Sequence, residues 1–313
     1  MVAMNITLTR RGFVGVAASA VLASGLAPLM AKSVQAAEAG SDETRTYEFT
    51  EEEVFLDYGD YKTRCVLRKP VLEDGEKVPA ALFAHGYSAN SDSIPLYVDV
   101  CKALAKHGIA SLAINYTSNG GSDLPFEDHS IKTDVEQARV AIDYLRSQDW
   151  VSEVGMMGQS QGGCGTCITA SEYSDSNPLA FTVLFAPANM IPDVARAGSY
   201  DLADLSYVAN NTFYFDPAIE HDPDEMLGCG VKYNYFEQAQ DIDMWDVCSK
   251  IVTPTLLLWC TGDVPVSLPY IVRTQESIRG CAFHVFEGSD HNFTGREADA
   301  VVQTLEFLDK VLA

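Results

Sequence analysis

The sequence is short of basic residues, of histidine and of long apolar runs, and each shortage narrows what the chain can be. Lysine and arginine together number 21 against 44 aspartates and glutamates in 313 residues, a formal charge of −23. A surface of that sign repels phosphate backbones and anionic lipid headgroups, so neither nucleic acid nor membrane is an expected partner. Solubility is the plain reading of the acidity. Beyond the first 37 residues no stretch reaches the roughly 18 apolar residues that span a bilayer. No internal repeat, low-complexity tract or Pro/Ser-rich linker divides the chain.

What is present suits a folded catalytic domain. Hydrophobic residues make up 47% and charged residues 21%, enough for one globular domain with a substantial core, or a domain carrying a subdomain. Before it, Thr9-Arg10-Arg11-Gly12-Phe13-Val14-Gly15 opens an Ala/Gly-rich apolar stretch to about Met30, and the small-residue site Val34-Gln35-Ala36 follows. This pattern predicts a twin-arginine-type export signal over residues 1–37, and hence a periplasmic, cell-envelope or extracellular protein. The competing reading is a retained anchor, for which Ala18, Ser19, Gly25 and Pro28 make a poor spanning helix. Removing the signal takes three of the 21 basic residues and none of the 44 acids, leaving 18 against 44 and a charge of −26.

Eight cysteines in an exported chain permit disulfides without dictating a pairing. Cys164-Gly165-Thr166-Cys167 has the spacing of a redox or zinc pair. No second cluster completes a zinc site, so small packing residues on a buried helix are the expectation there.

From Tyr47 strand-like and helix-like segments alternate. Apolar runs at Ala80–Ala84, Ile109–Tyr116, Val154–Met157, Phe181–Phe185, Thr255–Trp259 and Phe283–Phe286 read as strands, after a short pair around Glu53–Leu56 and Tyr61–Arg68. Helical spacing marks Tyr97–His107, Ile131–Ser147, the segment to Glu172, and Ala298–Leu312. This alternation predicts a mostly parallel sheet with helices on both faces. Between about residues 188 and 247 the rhythm breaks, which predicts an inserted cap over the carboxyl ends of the strands, where open sheets bind ligands. The catalytic domain is thus expected over residues 47–313.

Gly158-Gln159-Ser160-Gln161-Gly162 lies between a buried strand and a helix, the context of a nucleophile elbow. A serine hydroxyl needs a base, and the chain order Ser, acid, His supplies one. Asp263 follows one apolar strand in Trp259-Cys260-Thr261-Gly262-Asp263, and His291 follows the next in Gly288-Ser289-Asp290-His291. Asp290 is the rival acid, but a neighbour of the histidine in sequence cannot easily face the same ring edge. The oxyanion donors expected are the backbone N–H groups of Tyr87, in His85-Gly86-Tyr87, and of Gln161. Singly, a histidine is more often structural than catalytic: His85 and His129 read as loop architecture, His284 as a strand residue, and His107 and His221 have no motif around them. Together these features predict an α/β-hydrolase fold with a Ser160–His291–Asp263 triad and no metal or organic cofactor.

The chain from about His85 onward resembles the bacterial cinnamoyl (feruloyl) esterases, through His85-Gly86, Phe126-Glu127-Asp128-His129, Gly158–Gly163, Ala186-Pro187-Ala188-Asn189-Met190-Ile191-Pro192, Tyr214-Phe215-Asp216-Pro217 and Tyr235–Gln240. The resemblance implies a small-molecule ester substrate and a cap that walls the acyl pocket, with Tyr235 as the residue matching a contact to phenolic oxygens. Gln159 replaces the histidine common before the serine, a change expected to be tolerated because that side chain points away from the reaction. The stretch between Asp193 and Phe213 is longer and more polar than in the family, which leaves the accepted acid open. Two other functions fit the same residues less well. An α/β-hydrolase peptidase commonly adds a propeller or larger accessory domain, and a non-catalytic binding protein has no need of all three triad residues.

Overall fold

The computed structural model describes residues 46–201 and 212–313. The expected export signal lies outside them, as does part of the polar stretch between Asp193 and Phe213. Strands β1 (Phe49–Tyr58), β2 (Tyr61–Pro70), β3 (Val78–Ala84), β4 (Ala110–Ile114), β5 (Val151–Gln159), β6 (Thr182–Phe185), β9 (Thr255–Cys260) and β10 (Ala282–Phe286) form one sheet in the order β1-β2-β4-β3-β5-β6-β9-β10. From β4 to β10 every neighbouring pair is parallel, and β2 runs antiparallel to both β1 and β4. The buried strands β3, β4, β6 and β9 are almost wholly apolar, as sheets covered on both faces require.

The connections fix where the helices go. Helix α1 (Pro95–Lys106) links β3 to β4 in one direction across the sheet, and α2 (Ile131–Ser147) links β4 to β5 in the opposite direction. Right-handed crossovers therefore put α1 on one face and α2 on the other. Helix α3 (Gln161–Tyr173) packs beside α2, and α8 (Glu297–Val311) packs beside α1. The reversal of direction makes a switch point at the carboxyl ends of β3 and β5, the crevice where such sheets bind ligands. Helix α2 starts as its sequence dictates: Ser130 accepts the Thr133 N–H at 3.1 Å, and the Thr133 hydroxyl accepts the Ser130 N–H at 2.9 Å.

Between β6 and β9 lies the inserted helical region. It holds α4 (Ile191–Ala197), a short antiparallel pair β7 (Ser199–Asp201) and β8 (Thr212–Tyr214), α5 (Asn234–Gln240) and α6 (Met244–Ser249). Phe215, Leu227, Val231, Tyr233, Tyr235 and Phe236 form a small apolar core of its own there. Helix α6 belongs instead to the main core, through Met244 and Cys248 against α3. The fold is thus an α/β-hydrolase fold with an inserted cap.

Two features depart from the sequence reading. Strand β1 begins at Phe49, four residues earlier than its pattern shows, because residues 50–53 are exposed and polar and only their pairing with β2 makes them a strand. Helix α7 (Leu268–Ser277) has no counterpart in the sequence reading; it buries only Ile271 and Thr274, too few positions to mark a periodic face. All eight cysteines are buried free thiols, Cys164 and Cys167 among them on the buried helix α3. Among the described residues no helix is long and apolar enough to cross a membrane.

Candidate active site

The elbow is built by close packing. A Cβ on Gly158 would overlap the Gly162 carbonyl, and one on Gly162 would overlap the carbonyl oxygens of Ala84 and His85. Glycine at both positions lets β5 turn directly into α3. Ser160 at the turn holds φ +55° and ψ −119°, backbone angles that an L-residue rarely adopts. The turn is held by the Ser160 N–H donating to Phe185 O at 2.9 Å, and by Cys164 and Ala188 N–H groups donating to Ser160 O at 3.0 and 2.8 Å. Gln161 is the first residue of α3, so its N–H is one that the helix cannot satisfy internally and that carries the positive end of the helix dipole.

Asp263 follows β9 and His291 follows β10, so adjacent parallel strands deliver both to one edge of the sheet. The Asp263 carboxylate is buried; Oδ2 lies 2.8 Å from His291 Nδ1, and Oδ1 accepts the Val266 N–H at 2.8 Å. Since a carboxylate only accepts, His291 carries its proton on Nδ1 and leaves Nε2 free to take another. Asp290 is occupied elsewhere, accepting from the N–H groups of Asn292 and Thr294 and from the Thr294 hydroxyl.

His291, Ser160, Gly86, Tyr87 and Gln161 all line one cavity of about 470 Å³. Its other walls are mostly apolar: Ile94, Ala188, Met190, Ile191, Val194 and Phe236. The cavity is thus shared by core loops and cap.

Four of the other histidines have polar partners away from the cavity's reacting edge. His85 accepts the Tyr116 N–H on Nε2 at 3.2 Å, so Nδ1 carries the proton and donates it to Gly86 O at 2.8 Å. Burial pushes its pKa down to about 4. His107 faces Asp309 and His221 faces Glu225. His129 is buried beside Asp134, Nε2 to Oδ1 2.7 Å.

Two side chains of the elbow do more than the sequence shows. Gln159 is buried, with Nε2 donating to His291 O at 3.0 Å and Oε1 accepting the Tyr97 hydroxyl at 2.7 Å. Tyr97 Oη in turn accepts the Gly86 N–H at 3.2 Å. Gln161 is also buried, and its side-chain amide meets Asp134, His129 and Tyr235. Tyr235 lines the cavity, with its hydroxyl donated to Gln161 Oε1 at 2.6 Å. The roles of Gln159, Tyr97 and Asp134 had no signal in the sequence, since none belongs to a motif for such contacts. Among the described residues no group of three or more His, Cys, Asp or Glu side chains is arranged to hold a metal ion.

No family model matches the chain, and no curated protein matches it. Solved structures do. Est1E of Butyrivibrio proteoclasticus with ferulic acid bound is 25% identical, with a TM-score of 0.71 over 83% of this chain and 99% of that one. The alpha/beta hydrolase domain-containing protein 10 from mouse is 15% identical, TM-score 0.65, over 83% and 99% of the two chains. The hydrolase GrgF of Penicillium sp. sh18 is 16% identical, TM-score 0.61, over 83% and 98%. The last two likenesses speak for the fold alone. Taken with the geometry, the likeness to Est1E supports a hydrolase-fold enzyme that resembles the bacterial feruloyl esterases.

Proposed function

We propose that the protein is a serine carboxylic ester hydrolase acting on small or aromatic esters of the hydroxycinnamoyl type. Ser160 Oγ attacks the ester carbonyl while its proton passes to His291 Nε2. Asp263 accepts the Nδ1–H and stabilises the imidazolium that forms. The tetrahedral oxyanion is held by the N–H groups of Tyr87 and Gln161, each donor contributing about 3–4 kcal/mol to the transition state. Collapse of this intermediate expels the alcohol, which takes the proton from His291, and leaves an acyl ester on Ser160. Water activated by the same histidine then releases the acid.

The observation that carries this reading is the Asp263–His291 bond of 2.8 Å at the rim of the cavity lined by the strained Ser160. The apolar walls favour an acyl group without charge, and the likeness to Est1E supports an aromatic one. The test is kcat/KM of the chain without residues 1–37 on methyl ferulate and nitrophenyl butyrate, with Ser160→Ala beside it. Preference for ferulate, lost in the variant, is the expected result. Activity on the butyrate alone would discard the hydroxycinnamoyl assignment, and full activity in Ser160→Ala would discard the serine mechanism. Export by a twin-arginine-type signal is part of the same proposal, and the mass of the protein recovered from the envelope fraction tests it.

A further inference from the structure

The Phe126–His129 segment and Asp134 take no part in the reaction just described, yet they surround the residue that follows the nucleophile. Gln161 Nε2 donates to Asp134 Oδ2 at 2.7 Å, and Asp134 Oδ1 faces His129 Nε2 at 2.7 Å. The carboxylate only accepts, so the proton between the pair sits on His129 Nε2, and the Gln161–His129 approach of 3.0 Å is a contact enforced by their common partner. The Nδ1 atom of His129 has no hydrogen-bond partner among the described residues. On its other side, Gln161 Oε1 accepts the Tyr235 hydroxyl at 2.6 Å. Asp134, His129, Gln161 and Tyr235 are all buried. Both halves of the Gln161 amide are thus engaged, one by the core helix α2 and the other by the cap helix α5.

The second oxyanion residue is tied to the cap as well. The Tyr87 hydroxyl donates to Cys229 O in the cap at 2.7 Å. Its ring meets the Tyr235 ring edge-on, with centroids 5.9 Å apart. Each proposed oxyanion donor therefore sits on a residue whose side chain ends on the cap. The single hydroxyl proton of Tyr235 is already spent on Gln161, so it is not available to a phenolic oxygen of the substrate.

We propose that Tyr235 is a positioning residue, and that through it and Tyr87 the seated cap holds both N–H groups of the oxyanion hole. The cap then contributes to catalysis of every ester, whatever its acyl group, besides walling the pocket. This rests on the serine esterase reading above.

The test is Tyr235→Phe, which keeps the ring and removes one oxygen. Loss of one hydrogen bond that aligns a donor is expected to lower kcat about fivefold. The loss is expected to be equal on methyl ferulate, methyl cinnamate and nitrophenyl butyrate, with KM little changed. Affinity for an arylboronic acid, which forms a tetrahedral adduct on Ser160, falls by the same factor. A fall confined to methyl ferulate would make Tyr235 a substrate contact and overturn the proposal, as would unchanged kcat and boronate affinity. Should Tyr235→Phe fail to fold, Tyr87→Phe severs the second tie and is read by the same criteria. Ser160→Ala assayed in parallel separates the two ideas, because its activity would sink the esterase reading itself.

Discussion

Gln159 precedes Ser160, and its buried amide joins three loops that must keep register for the proposed reaction to run. One end belongs to the elbow; Nε2 holds the carbonyl of His291, and Oε1 holds the Tyr97 hydroxyl, which receives the Gly86 N–H of the oxyanion loop. Replacing it by methionine keeps the length and removes every hydrogen bond. The His291 carbonyl loses its side-chain donor, and the Tyr97 O–H loses its bond to Gln159, which is 2% exposed. Each buried hydrogen bond removed costs about 1–3 kcal/mol, so about 2–4 kcal/mol is expected in total after the gain from burying an apolar side chain. For a domain of this size each kcal/mol moves the midpoint by about 2–4 °C, so Tm should fall by about 5–15 °C. Catalysis should suffer further, because His291 and the oxyanion loop lose their common brace, and a small misplacement costs on the order of 10²-fold. The assays are calorimetric Tm and kcat on nitrophenyl butyrate well below the new midpoint. A Gln159→Met protein with unchanged Tm and kcat would refute the reasoning.

Three further outcomes follow from the same geometry. Asp263→Asn should leave the fold intact and lower kcat on the order of 10⁴-fold, because the amide no longer requires the proton on His291 Nδ1; steady-state kinetics on one ester check it. The depressed pKa of His85, from 6.5 to about 4, makes its neutral form a requirement of the fold. Its contribution is full above pH 6.5 and is lost as pH falls toward 4, by about 3 kcal/mol; denaturant unfolding across that window should show the loss, and His85→Gln should flatten it. Burial raises the thiols of Cys65, Cys260 and Cys281 to about 12 and that of Cys101 to about 11, so native protein should resist iodoacetamide until it is unfolded, as mass spectrometry would read.

The parts of this protein legible in the sequence are those in which local chemistry and position coincide. The strand-turn-helix around Ser160 could be read because two glycines are needed where β5, β3 and α3 crowd together, and that need is written within five residues. Helix α2 could be read from Ile131 to Ser147 because its apolar stripe is local. Helix α7 could not, since it buries too little of one face to impose a period. The same limit governs the site. Asp263 and His291 stand out as polar residues just past apolar strands, while Asp134 is one carboxylate among many on a helix and becomes distinctive only when α2 packs beside α3.

Gln159 illustrates why a side chain next to a nucleophile resists reading. Alternation along β5 says only that it faces away from its neighbours, and a side chain turned from the serine reads as indifferent to the chemistry. Gln159 in fact lines the cavity beside Ser160, where Tyr97 of α1 and the loop after β10 meet its amide. A polar side chain there must find partners or be destabilising, and the partners within reach are the supports of the base and of the oxyanion loop. The requirement that buried amides be satisfied thus ties Gln159 to the loops that carry the proposed base and oxyanion donor.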